Sequence, residues 1–182
     1  MTRKYSFCGR QTQWTSMLAA VALVLGAGCA GSGSGVATRP ADPPLLTGWV
    51  SRDTVMHNDG GRYQAVYDTV ALQEPFLELL AHVSADADVV VVFGTWCGDS
   101  RRGVPPFVKI ADRIGIPPDR LRFYGVDRSK KGPGTESDEM GIERVPTMIV
   151  RRGGIEIGRI VETPRVSWEG DLLTILTGAA PR

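Results

Sequence analysis

The clearest hydrophobic pattern in the chain is an uninterrupted apolar run at residues 89–93, Val-Val-Val-Val-Phe. A run of this length without polar alternation predicts a strand buried on both faces of a sheet. Apolar positions at helical spacing flank the run and predict one helix that begins at Pro75 and another from about Asp99 to Arg113. Proline suits the first turn of a helix, where its missing N–H loses no hydrogen bond.

The second half of the chain continues this alternation of elements. In chain order, the pattern predicts a strand at 121–127, an exposed charged loop at 128–138, strands at 147–150 and 155–161 around a turn at 151–154, and a helix at 166–176. The order from residue 75 is therefore α-β-α-β-loop-β-β-α. A strand–helix–strand unit followed by a hairpin and a helix indicates an α/β fold, with a central mixed β-sheet flanked by helices on both faces.

Residues 47–74 have a weaker pattern, with apolar and aromatic residues at loosely helical spacing. The Asn-Asp-Gly-Gly sequence at residues 58–61 predicts a turn within this segment. We expect a short helical or mixed N-terminal extension that packs on the domain formed by residues 75–182.

Residues 1–28 have the pattern of an export signal. Basic positions end at Arg10, an apolar run extends from Met17 to Leu25, and small residues follow. The run is too short to cross a bilayer, which takes about 20 apolar residues, whereas an apolar core followed by small residues is typical of a cleaved signal. Residues 29–46 are rich in Gly, Ser, Ala and Pro, and this composition predicts a flexible tether.

The Leu-Gly-Ala-Gly-Cys sequence at residues 25–29 resembles the lipobox of bacterial lipoproteins, although its aliphatic residue stands one position farther from the cysteine than is usual. The resemblance implies that Cys29 is lipidated and anchors the protein to a bacterial membrane, in the cell envelope and outside the cytoplasm. Cys8 would be removed with the leader, so Cys97 would be the only free thiol of the mature protein.

Composition and charge narrow the function classes only slightly. The 182 residues are 42% hydrophobic and 23% charged, with a formal net charge of +1 at pH 7. This is an ordinary composition for one globular domain plus a leader, and the near-neutral charge argues against a nucleic-acid partner. His57 and His82 stand in no metal-ligand pattern, so we expect neither a metal nor another cofactor.

Cys97 lies where the central strand is predicted to turn into the following helix. The first turn of a helix carries about half a positive unit charge, which favours an anion such as a thiolate, the nucleophilic form of cysteine. The next five residues, 98–102, are too polar to surround an inert core cysteine. We therefore expect Cys97 to be reactive.

The Trp-Cys-Gly-Asp-Ser sequence at residues 96–100 resembles the Trp-Cys-x-x-Cys turn of the thioredoxin superfamily. Arg101 and Pro105 are placed as in the extracytoplasmic, membrane-anchored TlpA-like branch of that superfamily. The Glu-Arg-Val-Pro-Thr sequence at residues 143–147 resembles the second family signature, a cis-proline loop that faces the cysteine. The resemblance covers about residues 75–178 and implies a thioredoxin-like fold.

The same resemblance assigns roles to individual residues. It implies catalytic roles for Cys97 and Ser100, and a cis peptide bond before Pro146. It further implies a substrate groove formed around the two motifs by Trp96, Gly98, Asp99, Val145, Pro146 and Thr147.

Three positions depart from the family pattern. Ser100 replaces the second cysteine, whose attack normally releases a mixed disulfide. Val91 stands where many thioredoxins have a buried acid, and Gly103 stands where TlpA-like proteins often have Glu. These departures predict a monothiol protein in which Ser100 hydrogen-bonds the Cys97 thiolate and a separate thiol completes the reaction.

Two other functions compete with monothiol exchange on protein or small-molecule thiols and disulfides. The domain could instead be a redox-inactive binding module that holds an extended peptide or partner protein between Trp96 and Pro146. Cys-Gly-x-Ser also occurs in monothiol glutaredoxins, which share a [2Fe–2S] cluster with glutathione. The tryptophan, the Arg-x-x-x-Pro spacing and the export signal argue against that second alternative.

Overall fold

The computed structural model describes residues 44–179, which form a five-stranded mixed sheet with six α-helices. The strands are β1 (Gly48–Val50), β2 (Ala87–Phe93), β3 (Leu121–Gly125), β4 (Thr147–Arg152) and β5 (Ile155–Val161). The helices are α1 (Arg52–His57), α2 (Arg62–Thr69), α3 (Glu74–Val83), α4 (Gly98–Arg113), α5 (Glu136–Glu139) and α6 (Trp168–Thr177). In this part of the chain no helix combines the length and the apolar character needed to cross a membrane.

The strand predicted from the apolar run lies at the centre of the sheet. The strand order is β1-β3-β2-β4-β5, and β2 pairs parallel with β3 and antiparallel with β4. Strand β1 pairs antiparallel with β3, and β5 pairs antiparallel with β4. Val91 is flanked in register by Phe123 and Met148, and all three are buried.

Alternate side chains of β2 belong to two separate cores. Val89, Val91 and Phe93 pack in the larger core with residues of α2, α3, α4 and α6. Val90 and Val92 pack in the smaller core, which includes Met140 immediately after α5. The prediction of a strand buried on both faces is confirmed. The predicted α/β class, with helices on both faces of a mixed sheet, is also confirmed, although among residues 44–179 the helix beside the second face is the short α5.

Two local predictions need correction. Residues 128–138 are not entirely an exposed loop, because α5 begins at Glu136 and Ser137 is buried. The hairpin turn is shorter than expected, because β4 extends through Arg152 and leaves only Gly153 and Gly154 between the strands. Both glycines have positive φ, at 57° and 80°, which glycine adopts without steric cost.

Residues 47–74 supply β1, α1 and α2, so the central sheet begins inside the segment expected to be an N-terminal extension. The segment is tied to α4 by Asp112, which accepts hydrogen bonds from the Arg52 guanidinium and the Tyr67 hydroxyl. The predicted export signal, the lipidation site and most of the predicted tether lie outside the described residues.

Candidate active site

Cys97 caps the N-terminus of α4, directly after the turn that leaves β2. Its backbone is extended, and its N–H donates to the carbonyl of Gly94 at 2.9 Å. The carbonyl of Cys97 accepts from the N–H of Arg101 at 3.2 Å, which is the first bond of the helix. The predicted position at a strand-to-helix turn is confirmed, and the thiol lies at the positive end of the helix dipole.

The thiol is almost covered by protein, since Cys97 is only 8% exposed. Its Sγ donates a hydrogen bond to the carbonyl oxygen of Val145, 3.2 Å away. The structure therefore joins the two sequence motifs directly, because Val145 precedes the proline of the second motif. A thiolate has no proton to donate, so this bond belongs to the protonated form of Cys97.

Ser100 is fully buried three residues after Cys97. Its Oγ accepts a hydrogen bond from the N–H of Gly94 at 3.2 Å. The expected hydrogen bond between Ser100 and Cys97 is absent from the bonds formed by residues 44–179. Instead, the serine oxygen accepts from a buried backbone N–H of the turn, and the protonated sulfur donates to Val145.

The loop opposite Cys97 has the predicted cis peptide bond between Val145 and Pro146. Thr147 is buried, and its hydroxyl donates to the carbonyl of Arg144 at 2.7 Å. Glu162, just after β5, makes two contacts with this loop. Its N–H donates to the carbonyl oxygen of Pro146 at 2.7 Å, and its carboxylate forms an ion pair with Arg144 at 2.9 Å. The loop is thus fixed by neighbouring elements at both of its ends.

Gly103 allows α4 to lie close to this loop. A Cβ added to Gly103 would stand 2.8 Å from the Trp168 ring and 3.3 Å from Pro146 Cγ. Trp168 also stacks edge-on against Phe107 of α4, with ring centroids 6.2 Å apart. The indole ring of Trp168 therefore covers Gly103, the position that departs from the TlpA-like pattern.

Trp96 is fixed by contacts on several sides. Its indole Nε1 donates to the carbonyl of Val126 at 3.0 Å, and the guanidinium of Arg128 lies 5.5 Å from its ring centroid. Its ring also covers Gly94, where a Cβ would approach it to 2.6 Å. Trp96 therefore combines a packing role with a position beside the cysteine.

A cleft of about 370 Å³ opens beside the sulfur. Four of the predicted site residues line it, namely Trp96, Cys97, Asp99 and Val145. Charged residues form its other walls, namely Lys130, Glu143, Arg144 and Glu162, and of these the sequence had suggested only Arg144, as a residue that flanks the groove. Gly98 is exposed at the start of α4, whereas Ser100, Pro146 and Thr147 are buried behind the cleft.

A buried carboxylate that pairs with α4 was not predicted from the sequence. The side chain of Asp59 is 1% exposed and lies 3.3 Å from the guanidinium of Arg101. Asp59 belongs to the turn predicted at residues 58–61, and the turn itself was the only signal there. Nothing in the local sequence indicates that its side chain points inward.

Comparisons with known proteins agree with this architecture. Residues 50–173 match the family model described as thioredoxin. No curated protein matches the chain. A solved structure of a protein of unknown function from Pseudomonas aeruginosa superposes with a TM-score of 0.54 at 18% identity, over 73% of this chain and 94% of that chain.

Two solved thioredoxins are also similar in part. Oxidised thioredoxin O2 from Arabidopsis thaliana has 18% identity and a TM-score of 0.37, over 59% of this chain and 89% of its own. Oxidised mitochondrial thioredoxin 3 from Saccharomyces cerevisiae has 21% identity and a TM-score of 0.32, over 53% of this chain and 86% of its own. Because the family model spans residues 50–173, most of the chain, the chain belongs to the thioredoxin family, and its domain supports a general role in thiol–disulfide exchange.

Proposed function

We propose that this protein is a monothiol thiol–disulfide exchange protein of the TlpA-like branch, held outside the cytoplasm by a lipid on Cys29. Cys97 is the nucleophile, and its substrates are protein or small-molecule disulfides. Lipid anchoring and location in the cell envelope rest on the sequence pattern of residues 1–29.

One observation carries the exchange chemistry. Cys97 stands at the N-terminus of a long helix, with its sulfur 3.2 Å from the backbone of the cis-proline loop. It is the only cysteine in residues 44–179, and a serine occupies the position of the usual second thiol. This arrangement supplies a nucleophile and a backbone that can bind an extended substrate, without an internal resolving group.

The exchange proceeds in two balanced steps. The Cys97 thiolate attacks one sulfur of a substrate disulfide, forms a mixed disulfide with it and releases the other sulfur as a thiolate, which takes a proton from water. A separate thiol, such as glutathione, then loses its proton and attacks the substrate sulfur of the mixed disulfide. This second step forms a disulfide between substrate and added thiol and returns Cys97 as the thiolate.

The substrate must also displace an internal contact. The carbonyl of Val145, which would pair with an extended peptide, accepts the hydrogen bond from Cys97 in the structure. Binding of a peptide to this carbonyl and release of the sulfur are therefore coupled.

The test is formation of the mixed disulfide. Full-length protein is mixed with a peptide disulfide, and the adduct on Cys97 is identified by mass spectrometry before and after glutathione is added. We expect an adduct that glutathione removes, its loss in Cys97→Ser, and its retention in the matched control Cys29→Ser. If the wild type forms no adduct with protein or small-molecule disulfides, and Cys97 is alkylated no faster than free cysteine, the proposal is wrong.

A binding module remains the second candidate because Cys97 is 8% exposed. A thiol covered to this extent also fits a groove that holds a peptide without reacting with it. Peptide capture that persists in Cys97→Ala and under reducing conditions, together with absence of the adduct, would favour this function over exchange.

A further inference from the structure

An ion pair between a buried carboxylate and a partly exposed guanidinium links the α1–α2 turn to the first turn of α4. Asp59 Oδ2 lies 3.3 Å from Arg101 Nε, and Asp59 Oδ1 accepts a hydrogen bond from the N–H of Tyr63 at 3.2 Å. Within residues 44–179, neither Asp59 Oδ2 nor Arg101 Nε has a hydrogen-bond partner. Arg101 is therefore the ion-pair partner of the buried Asp59 carboxylate, while the Arg101 side chain keeps 31% exposure to water.

The pair stands behind the reactive cysteine. Arg101 follows Cys97 by four residues, donates its N–H to the Cys97 carbonyl at 3.2 Å, and so lies on the same side of the helix start. Burial raises the pKa of Tyr63, Asp59 raises that pKa further, Arg101 lowers it and Cys97 raises it. Residues four apart at the start of a helix are neighbours on its surface, so Arg101 and the Asp59 carboxylate paired with it lie on the side of α4 that carries Cys97.

The other charges around Cys97 are more exposed. The charged groups on the elements that surround the cysteine are Asp99, Arg102, Lys130, Glu143, Arg144 and Glu162. Asp99 and Arg102 form an ion pair with side chains 42% and 75% exposed, so water and salt screen their effect. The Asp59 carboxylate, at 1% exposure, is screened far less.

We propose that Asp59 and Arg101 form a positioning pair that sets the nucleophilicity of Cys97. Arg101 favours the reactive thiolate, and Asp59 opposes it by offsetting the charge of Arg101. Both residues act on the sulfur through space, since the hydrogen bond of the sulfur goes to Val145. The proposal rests on the proposed function only in taking Cys97 as the reacting group.

The experiment measures the rate of Cys97 alkylation by iodoacetamide at pH 7 in the full-length protein, with the labelled peptide identified by mass spectrometry. We expect Asp59→Asn to raise the rate by about three- to tenfold and Arg101→Gln to lower it by a similar factor, because each substitution removes one charge of the pair. The double variant should return to within about twofold of the wild type.

The opposite signs distinguish an electrostatic role from a structural one. If the pair only held α4 in place, both single variants would loosen the site and shift the rate in the same direction. A shift in the same direction, or a change below about twofold in both variants, overturns the proposal. Asp59→Asn is nearly isosteric and leaves Arg101 with its 31% exposure to water, so its rate decides the matter alone if Arg101→Gln does not fold.

The control is Asp112→Asn. Asp112 pairs with Arg52 at the far end of α4 and therefore joins the same two segments away from the cysteine. Its substitution should leave the alkylation rate within about twofold of the wild type. Alkylation needs no disulfide substrate, so the two proposals can fail separately. If the protein shows no disulfide exchange but the two single variants still shift the alkylation rate in opposite directions, the proposed function is refuted and the role of the Asp59–Arg101 pair is retained.

Discussion

At the scale of single residues, the close approach of Trp168 and Pro146 to α4 requires a glycine at position 103. A Cβ at this position meets the Trp168 ring at 2.8 Å and the cis-proline at 3.3 Å. We expect Gly103→Ala to lower the free energy of unfolding by about 1–3 kcal/mol, because it overpacks a closed contact. Gly98→Ala is the matched control, since its Cβ would meet only the end of Arg102 at 3.5 Å. Thermal melts compare the two, and equal stability of the two variants would contradict this account.

Ser100 carries a second prediction at this scale. Its buried side chain lies in the position of the usual resolving thiol, three residues after the nucleophile. Ser100→Cys should therefore release substrate from the mixed disulfide by internal attack, without added glutathione. The release is measured by quenching the reaction at successive times and quantifying the mixed disulfide by mass spectrometry. Ser100→Ala, which also loses the bond to Gly94, is the control, and an adduct equally persistent in both variants would refute the expectation.

At the scale of elements, α2 places a tyrosine hydroxyl where it has no partner. Tyr63 is 1% exposed, and its hydroxyl forms no hydrogen bond within the described part of the chain. Removal of an unpaired buried hydroxyl breaks no hydrogen bond and removes the cost of burying that group, so Tyr63→Phe should leave stability at pH 7 unchanged or higher. Tyr124→Phe should instead cost about 0.5–1.5 kcal/mol, because the Tyr124 hydroxyl bonds to Glu136 at 3.1 Å. Urea titrations measure both, and the reverse order would contradict the prediction.

The same tyrosine predicts how stability depends on pH. Burial raises the pKa of Tyr63 above its ordinary value of 10. Above pH 10 the unfolded chain loses this proton while the folded chain keeps it, so unfolding becomes more favourable as pH rises. The stability is complete below pH 10 and is lost progressively above it. Tyr63→Phe should flatten this decline, and a decline equally steep in the variant would show that other groups cause it.

Elements with strong periodicity were predictable, and those fixed by distant contacts were not. The apolar run of β2 and the helix from Pro75 were found because their patterns are continuous. The three-residue strand β1 gives no such pattern and is defined by its pairing with β3. The two motifs located the cysteine and the cis-proline loop. The inward side chain of Asp59 depends on Arg101, more than forty positions later, which local sequence does not encode.

At the scale of the whole molecule, the proposed lipid on Cys29 would separate this protein from a freely diffusing thioredoxin. We expect Cys29→Ser to move the protein from the membrane fraction to the soluble fraction, since acyl chains supply about 0.8 kcal/mol of membrane affinity per buried CH₂. Cys8→Ser is the matched control and should leave the distribution unchanged, because Cys8 lies in the predicted leader. Fractionation followed by immunoblotting measures this, and a Cys29→Ser protein that stays with the membrane would contradict lipidation at that residue.

With a lipid on Cys29, as proposed, the start of the sheet at Gly48 would limit how far from the membrane Cys97 can react. From Cys29 to Gly48, a fully stretched chain spans at most roughly 60–70 Å at 3.3–3.6 Å per residue. A lipid on Cys29 would therefore confine Cys97 to a layer next to the bilayer only slightly deeper than that span. Disulfides carried by proteins in the same membrane would meet the thiol at a high local concentration, whereas those farther away would have to diffuse to the surface first.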